Sequence, residues 1–176
     1  MALWYSDYFK RDNKGGGAWS GSFVDYAGLL KSQAVIYNVA NFSKPPAGQP
    51  ALLSYDDVTT MFHEVGHALH ARLARVEYPR LTGTNVPTDF VELPSQLTEH
   101  WALYPSVLAN YARHFQTGQP MPAELVAKLK KASKFNMGFS TSEIVQAMLL
   151  DLAWHTLAPG APPADVAAFE ADALKR

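Results

Sequence analysis

Apolar and polar positions along the chain change period near residue 50. Before it the pattern is that of strands. Leu3 to Phe9 sets bulky apolar residues among polar ones, Ala18 to Val24 repeats the alternation, and Gln33 to Phe42 is rich in Val, Ile, Tyr and Phe. Gly15, Gly16 and Gly17 interrupt the first two runs and read as a hairpin turn. Pro45, Pro46, Gly48 and Pro50 then form a loop. After it the period becomes helical. A first helix is predicted from Ser54 to about Val76, with Ser54 as cap and Asp56 and Asp57 in the first turn. A second covers Thr88 to Trp101, with a kink at Pro94. A third starts at Pro105 or Ser106 and ends near Gly118, and a fourth runs from Pro122 to about Phe135. A fifth is capped by Ser140 or Thr141 and reaches Leu157. A short terminal helix opens at Pro163 and ends in Lys175 and Arg176. The expected fold class is mainly α with a small N-terminal antiparallel β-sheet. The expected organisation is one domain over residues 1–176, with a β portion and loop in 1–50 and a helical portion in 51–176.

Chemistry concentrates in the first helix, at His63-Glu64-Val65-Gly66-His67. Histidines four apart on a helix stand one above the other on one face. One tetrahedral zinc ion can take both, and the glutamate beside the first lies next to the open position where water would sit. The plainer alternative is a buried amphipathic helix with two hydrogen-bonded histidines. Gly66 costs about 1 kcal/mol in a helix interior relative to alanine, so another element is expected to approach it closely. A third metal ligand must come from elsewhere, and Glu77, Asp89, Glu92 and Glu99 are the candidates. Glu92, Gln96, Glu99 and His100 share a stripe of the second helix. A carboxylate among apolar neighbours needs a partner. Glu92 as ligand, with Glu99 or Gln96 holding the ligands in place, meets that need.

Composition narrows the function further. At 176 residues and 48% apolar content the chain can build a genuine core. A net charge of −1 leaves no basic footprint for nucleic acid, and Lys128, Lys130, Lys131 and Lys134 read as the wet face of a helix. The absence of cysteine excludes disulfides and thiolate chemistry. No signal peptide is visible and no apolar run is long enough for a bilayer, so a cytoplasmic protein without a membrane partner is expected.

The run Ser54–His70, followed by Leu81-Thr82-Gly83-Thr84-Asn85-Val86-Pro87-Thr88-Asp89-Phe90-Val91-Glu92-Leu93-Pro94-Ser95-Gln96, resembles the catalytic core of the thimet oligopeptidase family of zinc metallopeptidases, its bacterial peptidyl-dipeptidase branch in particular. The likeness extends to Gly15-Gly16-Gly17-Ala18-Trp19 and Tyr37-Asn38-Val39-Ala40-Asn41-Phe42 upstream. Downstream it takes in Asn110 to Gly118 and Trp154-His155. The resemblance implies a zincin-like core binding one Zn2+ through His63, His67 and Glu92, with Glu64 as general base. It implies oligopeptide substrates and release of C-terminal dipeptides. It also implies a substrate held as an added strand near Gly16, Gly17 and Ala18. In the family a Gly- and Tyr-rich segment beyond this core supplies a histidine and tyrosines for substrate and oxyanion. The chain ends at Arg176 before such a segment, so weak activity is expected of it, with self-association through apolar surface. Two alternatives stand beside this reading: a zinc-retaining but inactive peptide-binding or regulatory fragment, and a structural helical domain without metal.

Overall fold

A computed structural model describes residues 2–160 and 162–175; Arg176, the predicted end of the last helix, lies outside them. Two compact units divide the chain, Met1–Met121 and Pro122–Arg176. The boundary between units thus falls at 121/122, whereas the change of pattern falls near residue 50, because the first helix packs on the sheet.

The sheet comprises β1 (Leu3–Phe9), β2 (Trp19–Val24) and β3 (Val35–Phe42) in the order β1-β3-β2. It is mixed, which corrects the expected antiparallel sheet: β3 runs parallel to β1 and antiparallel to β2. The expected hairpin at Gly15–Gly17 is corrected with it, since β1 and β2 do not pair. The physical reason lies in β3. Its alternate residues Ile36, Asn38, Ala40 and Phe42 are buried, so the most apolar strand takes the centre and separates the other two. The glycine loop instead passes the end of β3, where Asn41 Nδ2 donates to the carbonyls of Gly15 (2.6 Å) and Gly17 (2.8 Å). Gly17 adopts φ +84°, a conformation that favours glycine.

Helix α1 (Tyr55–Leu73) begins with a reciprocal cap: Asp57 N–H donates to Ser54 Oγ (3.1 Å) and Ser54 N–H donates to Asp57 Oδ2 (3.0 Å). It ends about a turn earlier than the periodicity predicts. Val76 and Glu77 leave the helix there, and their carbonyls accept from Gly28 N–H (2.9 Å) and Leu29 N–H (3.1 Å). Ala68 packs with Ile36 of the sheet and with Ala34 just before β3, flanked by Tyr26 and Ala71.

The predicted second helix is two: α2 (Thr88–Val91) and α3 (Leu93–Glu99), continued by a 3-10 turn, His100–Leu103. The break falls at Glu92, two residues before Pro94, because proline, lacking N–H, is accommodated in the first turn of α3. Helix α4 (Pro105–Tyr111) stops well short of Gly118. The following residues fold back instead, with Met121 N–H on Ala112 O (2.9 Å) and His114 N–H on Gln119 O (2.8 Å).

The second unit holds α5 (Ala123–Ala132), α6 (Met137–His155) and α7 (Val166–Ala173). Asn136 at φ 56° turns the chain between α5 and α6, so α6 starts before the predicted cap. Asp165 caps α7 by accepting from Ala168 N–H at 3.0 Å. Trp154 of α6 lies on Phe169 of α7, ring centroids 4.5 Å apart.

Candidate metal centre

His63 and His67 stand one turn apart on α1, and their Nε2 atoms are 3.1 Å from each other. Glu92, at the break between α2 and α3, brings Oε2 to 3.1 Å from His63 Nε2 and 3.3 Å from His67 Nε2. Three ligand-type atoms thus form a nearly equilateral triangle. Tetrahedral zinc ligands at about 2.0–2.1 Å from the metal lie roughly 3.3 Å apart, so the triangle has the size such an ion needs. The triangle also asks for a cation. His63 Nδ1 sits 2.7 Å from Glu99 Oε1, which places the ring proton on Nδ1 and leaves the Nε2 lone pair facing Glu92.

Burial sets the electrostatics. Glu64 is only 6% exposed, its Oε2 has no hydrogen-bond partner, and burial raises its pKa. His67 is 8% exposed and burial lowers its pKa, favouring the neutral ring that can act as ligand. Glu92 is held ionised chiefly by Ser95, whose hydroxyl donates to Oε2 at 2.7 Å and lowers the carboxyl pKa.

Two packing contacts hold α1, one to α3 and one to the sheet. A Cβ added at Gly66 would meet Ser95 Cα at 2.6 Å and Pro94 O at 2.7 Å, so only glycine lets α3 lie this close to α1. Thr98 of α3 then donates its hydroxyl to Phe62 O (2.8 Å). On the opposite side the sheet is tied to α1 by Asn38 Nδ2, which donates to Glu64 O at 2.5 Å.

Of the sequence candidates, His63, His67 and Glu92 converge, Glu64 lies on the same helix with a buried carboxylate, and Glu99 contacts His63. Glu77 points toward Gly28 instead, its Oε2 2.7 Å from where a Cβ would stand there. Asp89 and His100 are exposed. Gln96 is exposed too, and no side-chain hydrogen bond involves it among the described residues; Ser95 takes the supporting position beside Glu92. Gly16, Gly17 and Ala18 lead into β2, an outer strand of the sheet. Sequence reasoning missed Ser95, Thr98 and Asn38. Asn38 left a signal, an amide among the buried alternate positions of an apolar strand. Ser95 left a weaker one, a hydroxyl three residues after Glu92.

The chain belongs to Peptidase family M3, which matches residues 1–175. This is a family of zinc metallopeptidases. The chain is 55% identical over 174 residues to a dipeptidyl carboxypeptidase of Escherichia coli, covering 99% of this chain and 26% of that protein. It is 39% identical over 156 residues to oligopeptidase A of E. coli (86% and 23% covered). It is 42% identical over 138 residues to a mitochondrial intermediate peptidase of Botryotinia fuckeliana (77% and 18% covered). The chain therefore spans about a quarter or less of the length of these relatives.

Proposed function

We propose that this chain is the zincin-like catalytic core of a cytoplasmic zinc peptidase that hydrolyses oligopeptides. Release of C-terminal dipeptides is suggested by the name of the 55% identical E. coli relative. The observation that carries the reading is the triangle of His63 Nε2, His67 Nε2 and Glu92 Oε2 beside a buried carboxylate with an unpartnered oxygen. His63, His67 and Glu92 would hold one Zn2+. When bound, the ion supplies Lewis acidity, making a water a stronger acid and polarising the scissile carbonyl. Glu64 accepts a proton from the attacking water and delivers it to the leaving amine. Its burial suits this role, because a desolvated carboxylate is a stronger base. Glu99 orients His63, and Ser95 orients Glu92. The outer strand β2, entered through Gly16, Gly17 and Ala18, offers main-chain groups that would align a peptide as an added strand.

The Ser95 hydroxyl beside Glu92 is committed to that carboxylate and is not offered to a tetrahedral oxyanion. Lack of one such donor costs about 100- to 1000-fold in rate, so slow turnover is expected of the 176-residue chain. This is also what would favour a zinc-retaining, peptide-binding fragment. Among the described residues no helix is long and apolar enough to cross a membrane. No role for nucleic acid is proposed.

The test is metal analysis of untagged protein together with cleavage of a short fluorogenic peptide. One zinc per chain and slow cleavage, reduced at least 100-fold by Glu64→Gln with zinc retained, are expected. Zinc uptake and peptide binding with no cleavage would select the binding fragment. Protein that takes up no zinc would overturn the reading.

A further inference from the structure

Asn38 occupies the middle of β3 and is 1% exposed. A buried amide without partners costs about 1–3 kcal/mol, and an aliphatic residue would suit this strand better. Both ends of the carboxamide are used. Trp4 of β1 donates its Nε1–H to Asn38 Oδ1 at 2.5 Å, and Asn38 Nδ2 donates to the backbone carbonyl of Glu64 at 2.5 Å. That carbonyl lies inside α1 and already has its helical partner four residues on, so the bond is not needed to satisfy it. What the bond adds is a fixed distance between helix and sheet. The backbone of Asn38 meanwhile pairs with Ser20 of β2. One residue therefore meets β2 through its main chain and the backbone of Glu64 through its side chain.

We infer that Asn38 is a positioning residue that holds the substrate-aligning strand β2 in register with Glu64 and the metal-binding face of α1. The inference rests on the function proposed above. Zinc binding itself should not need Asn38, because His63, His67 and Glu92 are brought together by the contact of α1 with α3 around Gly66. A ligand that spans both strand and metal should need it, since a misplacement of about 1 Å between reacting parts costs on the order of 100-fold.

Calorimetric binding of two zinc-directed ligands tests this. Acetohydroxamate reaches only the metal face, whereas a dipeptide hydroxamate also lies along β2. In Asn38→Leu, affinity for zinc and for acetohydroxamate should stay within about 2-fold, and affinity for the dipeptide hydroxamate should fall about 10-fold or more. Trp4→Phe, which removes the anchor of the carboxamide at a partly exposed position, should move the same ratio in the same direction by less. It decides the matter if Asn38→Leu does not fold. Equal weakening of both ligands, or no change in their ratio, would overturn the inference while leaving the proposed function standing. Wild-type protein that binds neither zinc nor hydroxamate would remove the proposed function, and this inference with it.

Discussion

Glu64 is where the proposed function and stability pull apart. Its carboxylate is buried and one oxygen has no partner, so the folded state holds its proton more tightly than the unfolded chain does. A raised folded pKa means that this group's favourable contribution is present below about pH 4.5, its ordinary value, and is lost as pH rises through the folded pKa. Glutamine cannot ionise and keeps that contribution. Metal-free Glu64→Gln should therefore melt at the same temperature as wild type below about pH 4.5 and at a higher temperature near neutrality. Melting curves of the two proteins across that range provide the check, and a less stable variant at pH 7 would contradict the desolvation argument. Glu99 makes a second residue-scale case. It accepts from His63 Nδ1 at 2.7 Å, so Glu99→Gln should weaken zinc binding about 10- to 100-fold in chelator competition. Gln96→Ala, at the exposed position on the same helix, should leave zinc binding unchanged.

At the scale of elements, the α1–α3 contact decides whether the centre exists. Gly→Ala in a helix interior ordinarily gains about 1 kcal/mol. At Gly66 the new methyl would enter the backbone of Ser95 and Pro94, and such overpacking costs about 1–3 kcal/mol. Because α3 follows Glu92 directly and carries Glu99, its displacement should also cut zinc affinity at least about 10-fold. Gly138 in α6, with nothing within 4 Å, is the control: Gly138→Ala should stabilise by about 0.5–1 kcal/mol. Denaturant unfolding and zinc competition on both variants distinguish the two sites, and a neutral Gly66→Ala would show that the contact is looser than described. The same contact shows what the sequence could reveal. The spacing of His63, Glu64 and His67 is a local property of one helix, so it was legible. The presence of a tight neighbour at Gly66 was legible from the cost of glycine, but its identity was not, because the contact joins residues about thirty apart. Sheet order failed for the same reason. Alternation marks a strand but carries no information about its neighbour, and it is the pairing of β3 on both edges that puts it between β1 and β2. The helix break at Glu92 was displaced from the predicted Pro94 because proline affects the turn before it.

At the scale of the whole molecule, apolar surface lies exposed in the second unit. Ile144, Met148 and Leu152 follow at intervals of four along α6, and they are 62%, 65% and 57% exposed. Residues so spaced form one stripe, the pattern of a helix face that packs against another helix. Full burial of a side chain of this type gains about 1.5–3 kcal/mol, and more than half of each is available. Two copies laid stripe to stripe would gain roughly 5–10 kcal/mol against an association cost of about 4–15 kcal/mol. At its most favourable the balance is about 6 kcal/mol, which places self-association at tens of micromolar or weaker. Sedimentation velocity of the whole chain over a concentration series should therefore show weight-average mass rising with concentration. Ile144→Glu combined with Met148→Lys should restore the monomer, since a charge placed in the stripe would have to be desolvated to pair. Helix formation is not at issue, because Glu and Lys are good helix formers at exposed positions. Wild-type protein that stays monomeric at several hundred micromolar would show that the stripe is too narrow to overcome the entropy of association, and that apolar exposure on α6 has no consequence for assembly.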